Sequence, residues 1–298
     1  MNLDSQELTA HVNGIDLCYT LDGPEDGEPL LLIMGLGAQL IGWPIEFVKQ
    51  LVEKGFRVIR FDNRDSGLST KTTVGEAPDA LDLLGKALNN EPVTSTYSLS
   101  DMAIDSIELL AFLDYQSAHI VGASMGGMIA QTLAINHPQY TRSLTSISST
   151  TGDPQQFTPT EEALSAIISS PPETRDEIIK ANILGSRALA GPLWDEDYAT
   201  EQAKENYERN FFPEGTGFQI SAIAMSGDRT DQLQELQMPA LVIHGAVDPL
   251  LPLHCGVATA EAIPNSELLV FEDMGHDLPA VYWSKVAQSI SDLVSRAS

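Results

Sequence analysis

Basic residues are scarce in this 298-residue chain: 16 Lys and Arg stand against 42 Asp and Glu, a formal net charge of −26. So acidic a surface offers no basic patch to nucleic acid or to an anionic bilayer, and it repels anionic molecules from a distance. Neutral or cationic small molecules are the partners it leaves open. A salt-rich habitat and a merely well-solvated surface both account for the acidity. Cysteine is nearly absent too: the 2 present, Cys18 and Cys255, lie far apart and are expected as reduced, buried thiols. Apolar runs are too short to cross a bilayer, and Met1–Glu7 lacks the basic-then-apolar pattern of an export leader, so a cytoplasmic protein is expected. Repeats and low-complexity tracts are missing as well. Hydrophobic residues make up 43% of the chain, enough for a large core in one globular unit with a smaller insertion.

Short aliphatic runs alternate with helix-length amphipathic segments, which predicts a mostly parallel sheet wrapped by helices. The strand runs are Leu30–Met34, Arg57–Phe61, Ala118–Val121, Leu144–Ile147, Ala240–His244 and Leu268–Phe271. Helices are expected over Pro44–Glu53, Leu99–Leu113, Met125–His137, His254–Ile263 and Ala280–Ser295. Ala10–Asn13 and Asp16–Leu21, joined at Gly14, read as an antiparallel hairpin. Two stretches break the rhythm. Thr70–Ser98 carries no strand signal and reads as a long excursion, either a second lid element or a dimer contact. From Thr151 to Gly227 several amphipathic helices follow one another: Thr160–Ser169, Glu173–Leu189, Asp195–Asn210 and Phe218–Met225. The expected division is therefore a core of residues 1–150 and 228–298, with residues 151–227 as a helical cap inserted before the last two strands. Its natural place is over the C-terminal edge of the sheet, where open α/β proteins bind ligands.

Between an apolar run and a helix the chain reads Gly122-Ala123-Ser124-Met125-Gly126. Glycines two residues either side of Ser124 permit a tight strand–turn–helix elbow that holds a hydroxyl exposed, because no Cβ blocks the close approach of neighbouring backbone. The following helix aims its amide dipoles at the turn. A hydroxyl needs a base to become a nucleophile, and the base needs a fixed tautomer. Of the six histidines, His11 and His119 fall within strand runs, His137 ends a helix, His244 closes a strand and His254 opens a helix. His276 alone sits in a loop between the last strand and last helix, Asp273-Met274-Gly275-His276-Asp277. The carboxylate partner is Asp248, in the loop after Ala240–His244; Asp228, Asp231 and Asp273 read as surface charges or caps. Two N–H groups are needed for an oxyanion: the Met125 amide and, from Met34-Gly35-Leu36-Gly37, the Leu36 amide. Those glycines equally suit a tight turn.

Together these residues resemble the α/β-hydrolase superfamily over nearly the whole chain. Asp62-Asn63-Arg64-Asp65-Ser66-Gly67-Leu68-Ser69 is similar to the family's Asp-x-Arg-Gly-x-Gly-x-Ser loop. Met34-Gly35 stands where many members have His-Gly, and Arg64-Asp65 where they have Arg-Gly. With Gly42-Trp43-Pro44, these variants resemble a subgroup that includes anthracycline methylesterases such as aclacinomycin methylesterase. The resemblance implies a serine carboxylic-ester hydrolase with Ser124 as nucleophile, His276 as base and acid, and Asp248 as orienting carboxylate, acting through an acyl-enzyme on small to medium neutral esters. It calls for no metal and no organic cofactor. Lactonase, carbon–carbon bond hydrolase and perhydrolase activity fit the same three residues, and a non-catalytic receptor fits the fold. Trp43, Trp194, Phe211, Phe212 and Met225 are candidates for an apolar substrate pocket, or else ordinary packing residues. Oligomeric state, a homodimer included, is left open.

Overall fold

In a computed structural model, residues 5–73, 75, 78–89 and 91–297 are described. The first four residues, on which the reading of the leader partly rests, and parts of the Thr70–Ser98 excursion lie outside them. The elements run β1 Leu8–Val12, β2 Ile15–Asp22, β3 Glu28–Ile33, α1 Ile45–Glu53, β4 Phe56–Phe61, α2 Ala80–Leu88, α3 Leu99–Phe112 and β5 Ala118–Ala123. Then come α4 Met125–Asn136, β6 Thr141–Ile147, α5 Glu161–Ile168, α6 Arg175–Leu189, α7 Glu196–Arg209 and α8 Glu214–Ser226. The chain closes with α9 Thr230–Leu233, β7 Ala240–Gly245, α10 Leu253–Ala262, β8 Ser266–Phe271 and α11 Trp283–Arg296.

The strands form one 8-stranded sheet in the order β1-β2-β4-β3-β5-β6-β7-β8. The β1–β2 hairpin pairs antiparallel, as does β2 with β4; the remaining pairs are parallel. Central strands are buried on both faces, which is why they read as continuous apolar runs instead of alternating ones. In β3, Leu31 and Ile33 pack with α3 and α4 on one face, while Leu30 and Leu32 pack with α1 and α11 on the other. Each run predicted as a strand is one, extended by one to three residues at an end, except that β3 stops at Ile33 and leaves out Met34. Most of these end residues, such as Glu28, Thr141, Gly245 and Ser266, are polar or glycine and carry little periodic signal. Cys18 and Cys255 are free and buried, as expected.

The helices α5 to α8 occupy the stretch between β6 and β7, where the sequence placed its insertion. The chain leaves the sheet at Thr150–Gly152 and returns at Gly227–Arg229, and these two segments cross. Gly152 adopts φ 92° and packs against the Gly227 carbonyl, where a Cβ would collide. Arg229 pins the crossing: its amide donates to Thr151 O at 2.9 Å and its guanidinium to Thr150 O at 3.0 Å and Gly227 O at 3.2 Å.

Two features differ from the sequence reading. The last insertion helix, α8, starts at Glu214 and not at Phe218, because Gly215 lets its first turn pack directly on the Asp65 carbonyl. The Thr70–Ser98 excursion contains α2, capped by Asp79, whose carboxylate accepts the Asp82 amide at 2.8 Å. Helix α2 packs against α8. It thus serves as an added wall beside the insertion.

At the elbow, a Cβ on Gly122 would run into the Gly126 carbonyl, and one on Gly126 into the Ile33 and Met34 carbonyls. Backbone cannot swing aside as a flexible side chain can. We therefore expect Gly126→Ala to destabilise the fold by more than about 2 kcal/mol, as overpacking with backbone displacement does. Chemical denaturation measures this, and an unchanged unfolding free energy would contradict the packing described.

Candidate active site

Ser124 sits between β5 and α4 with φ 55° and ψ −119°, a conformation that side-chain-bearing residues rarely adopt. Its backbone is held on both sides. The Ser124 amide donates to Ile147 O on β6 at 2.9 Å, and its carbonyl accepts from Gly127 N at 2.9 Å and Ser149 Oγ at 2.8 Å. Held this way, the hydroxyl points out of the turn instead of back into the helix.

The structure brings the three residues singled out from the sequence into a single line of contacts. His276 Nε2 lies 3.0 Å from Ser124 Oγ, and His276 Nδ1 lies 2.8 Å from Asp248 Oδ2. With Nδ1–H donating to the carboxylate, Nε2 is the free acceptor for the serine proton. Asp248 is itself fixed: its Oδ1 accepts the Leu250 and Leu251 amides, each at 2.9 Å. Beneath it, buried His244 donates from Nε2 to Leu251 O at 2.7 Å and stands 3.6 Å from Asp248 Oδ2. Burial lowers the His244 pKa, which keeps it neutral there.

His276 responds to opposing influences. Burial of the ring pulls its pKa down, but the charge and hydrogen bond of Asp248, with the charge of Asp277 added, outweigh this and raise it.

The two expected oxyanion donors lie on elements that meet beside Ser124. Gly35 packs on the nucleophile elbow, 3.2 Å from its added Cβ position to Ser124 Cβ, so the loop after β3 lies against the start of α4. Leu36 and Met125 line the same cavity as Ser124 and His276. Neither amide donates to a protein acceptor among the described residues.

That cavity measures about 680 Å³. Of the five residues suggested for its wall, only Trp43 lines it, and that ring is also packed in the core against Phe47. Trp194, Phe211, Phe212 and Met225 do not. Trp194 donates from Nε1 to Ser186 Oγ at 3.2 Å and lies under the Arg187 guanidinium. Phe211 packs on Tyr207, Phe212 lies near Lys71, and Met225 faces outward from α8. Much of the wall is built instead from aliphatic side chains, Ala80, Leu84 and Ala87 on α2, Leu164 and Ile167 on α5, and Ile220 and Ile223 on α8, with the aromatics Phe157 and Tyr198 beside them. Seeking the largest side chains favoured the wrong faces, since helix phase and not residue size decides which side chains meet the cavity.

A further residue escaped the sequence reading. Gln219 on α8 is fully buried; its Oε1 accepts Gly37 N at 2.7 Å, and its Nε2 donates to Arg64 O at 2.8 Å and Ser66 Oγ at 3.0 Å. It thereby ties α8 to the loop carrying Leu36. The available signal was a lone amide within the apolar, small-residue run Phe218-Gln219-Ile220-Ser221-Ala222.

Residues 28–280 match the family described as alpha/beta hydrolase fold. The chain belongs to that family. Relatives of this α/β hydrolase include the rhodomycin D methylesterase DnrP of Streptomyces peucetius, 26% identical over 91% of each chain. Another is the 2-hydroxy-6-oxononadienedioate/2-hydroxy-6-oxononatrienedioate hydrolase of Paraburkholderia xenovorans, 27% identical over 86% of this chain and 82% of that one. In structure, the hydrolase is similar to the meta-cleavage product hydrolase CumD of Pseudomonas fluorescens, with a TM-score of 0.77, 20% identity and full coverage of both chains. Among the described residues, no helix of the α/β hydrolase is long and apolar enough to cross a membrane.

Its loop Asp62–Ser69 departs from the family pattern at Asp65, and the geometry accounts for the exchange. Asp65 adopts φ 67°, a conformation glycine takes freely and aspartate tolerates. Its carboxylate in return accepts from Tyr97 OH at 2.7 Å and Thr72 Oγ1 at 2.9 Å.

Because Asp248 supplies the main upward pull on His276, the imidazole is expected to titrate above the ordinary 6.5 in the native protein. In Asp248→Asn burial prevails and the midpoint falls below its native position. Proton NMR titration of the His276 ring reads both values; a midpoint unmoved by the substitution would contradict the assigned cause.

Proposed function

We propose that this α/β hydrolase is a serine carboxylic-ester hydrolase, working through an acyl-enzyme on neutral, largely apolar esters. One observation carries the reading: the unbroken Ser124–His276–Asp248 line of contacts, starting from a serine in a strained turn at the floor of an apolar cavity. Backbone strain of this kind costs about 1–3 kcal/mol and persists where function uses it.

In the proposed reaction, Ser124 Oγ attacks the ester carbonyl as His276 Nε2 takes its proton. The carbonyl oxygen gains negative charge and is met by the Leu36 and Met125 amides, where each donor contributes about 10²–10³ in rate. His276 then protonates the departing alcohol. Water, activated by the same imidazole, releases the acid and frees the serine. Asp248 holds the imidazole in its productive tautomer and offsets the charge of the imidazolium. Residues 151–227 serve as the cap of this site over a core of residues 1–150 and 228–298. Within that cap, α5 and α8 set the space available to the substrate, and α2 of the core joins them.

Ester hydrolysis is favoured over cleavage of dicarboxylate substrates by the charges around the cavity. The relative from Paraburkholderia carries a name that makes its substrate a dioate. Here Glu91, Asp153, Asp228 and Asp277 line the cavity, against Arg229 as the one Lys or Arg among the described lining residues. Two substrate carboxylates would meet net repulsion there. The relative named as a methylesterase supports the ester reading.

Hydrolysis of p-nitrophenyl esters of graded acyl length, with Ser124→Ala as blank, tests the proposal. The variant is expected to lose at least about 10⁴-fold in kcat while keeping its fold, since residues of such a unit fail together. A fluorophosphonate probe is expected to label the native protein at Ser124 and to leave the variant unlabelled. Near-native turnover by Ser124→Ala would overturn the assignment; a native protein that neither labels nor turns over esters would favour the receptor reading.

A further inference from the structure

The residue after the proposed base has its own task. Asp277 lines the cavity, and its Oδ1 gathers two backbone amides: Gly275 N at 2.9 Å and Gly191 N at 3.2 Å. Gly275 belongs to the histidine loop. Gly191 belongs to the connection between α6 and α7, far away in sequence. A third bond joins the same segments, with the His276 amide donating to Leu189 O, near the end of α6, at 2.8 Å. The two glycines meet at close range. A Cβ on Gly191 would stand 2.5 Å from Asp273 O and 2.7 Å from Gly275 N, and one on Gly275 would be equally crowded by Ala190 and Leu189. The insertion therefore supplies half of the mould in which the histidine loop is cast.

We propose that Asp277 is a positioning residue, whose carboxylate clamps the Leu189–Gly191 segment onto the histidine loop and so fixes the aim of the His276 imidazole at Ser124. The inference rests on the esterase reading above. A side chain that clamps two glycine-containing segments controls orientation, and displacement of a reacting group by about 1 Å costs about 10²-fold in rate. Asp277 also bears on the imidazole electrostatically. The charged groups facing His276 are Asp248, from the loop after β7, and Asp277 itself, while His244 below Asp248 is held neutral by burial. Burial raises the pKa of Asp277, and the amides it accepts oppose that.

Three variants test this with p-nitrophenyl ester hydrolysis, fluorophosphonate labelling and thermal unfolding. Asp277→Ala removes both acceptor and charge, and a fall in kcat of about 10–100-fold is expected, with labelling slowed in parallel and KM little changed. Asp277→Asn keeps an oxygen acceptor and loses the charge; it is expected to regain most of the kcat lost by the alanine variant. Its acid limb should move to lower pH, because a negative charge beside the imidazole is gone. Gly191→Ala forces the segments apart without altering any charge. It should lower kcat as Asp277→Ala does, with the acid limb unmoved relative to the native enzyme. Native-like kcat in Asp277→Ala would overturn the proposal, as would an asparagine variant as impaired as the alanine one. Should Asp277→Ala fail to fold, the asparagine and Gly191 variants decide by the same two readouts. Loss of ester turnover by the native protein would instead count against the esterase reading itself.

Discussion

Everything at this site hangs on a few places where backbone passes backbone without a side chain between. Gly122 lies against the Gly126 carbonyl, Gly126 against the end of β3, and Gly35 against Ser124. These approaches bring the loop after β3, the end of β5 and the start of α4 close enough to share one small volume. They also hold Ser124 in a conformation it would leave if the turn had room to relax. The sheet contributes the bond from Ser124 N to Ile147 O, and the helix contributes the Met125 amide, which donates to no protein acceptor among the described residues. A strained serine beside unfilled donors is stable only because the surrounding core, buried on both faces of the sheet, over-determines it.

The helical insertion is more than a roof. Through Gln219 it holds the loop that carries Leu36, and through Leu189 and Gly191 it holds the loop that carries His276. At its root, Arg229 fastens the outgoing and returning segments to each other and reaches Gln131 on α4, the helix that follows Ser124. Buried polar side chains of this kind are satisfied by backbone groups, so each fixes a relative position as well as meeting its own hydrogen-bonding need. The inserted segment thus both lines the cavity and holds the loop of the proposed base.

Charge follows a similar division. The chain is acidic overall, but several buried charges are paired: Arg64 with Asp105 at 2.7 Å, Arg60 with Asp22 at 2.8 Å, Arg209 with Asp62 at 2.8 Å. Asp62 is fully buried and also accepts Leu40 N, which anchors the segment leading from the Leu36 loop to α1. These buried pairs specify how loops sit, and their removal one partner at a time would strand a charge.

Strand order apart, the fold was legible in the sequence because a doubly covered parallel sheet writes itself as apolar runs separated by amphipathic helices. The elbow was legible because its glycines answer a local steric demand, and Asp248 and His276 because they follow strand ends. The walls of the cavity were not. Trp194, Phe211, Phe212 and Met225 are large and apolar, but they turn away, whereas modest residues such as Leu84, Ile167 and Ile223 turn inward. For the stretch holding α2 the sequence left a lid element and a dimer contact both open, and it did not reveal that Gln219 and Asp277 stitch distant segments together. What local sterics and periodicity impose is written within a few residues of where it acts. Which face of a helix meets a cavity, and which amide a carboxylate finds 86 positions away, is decided only when the elements pack, because that choice minimises the energy of the whole assembly and leaves no local mark.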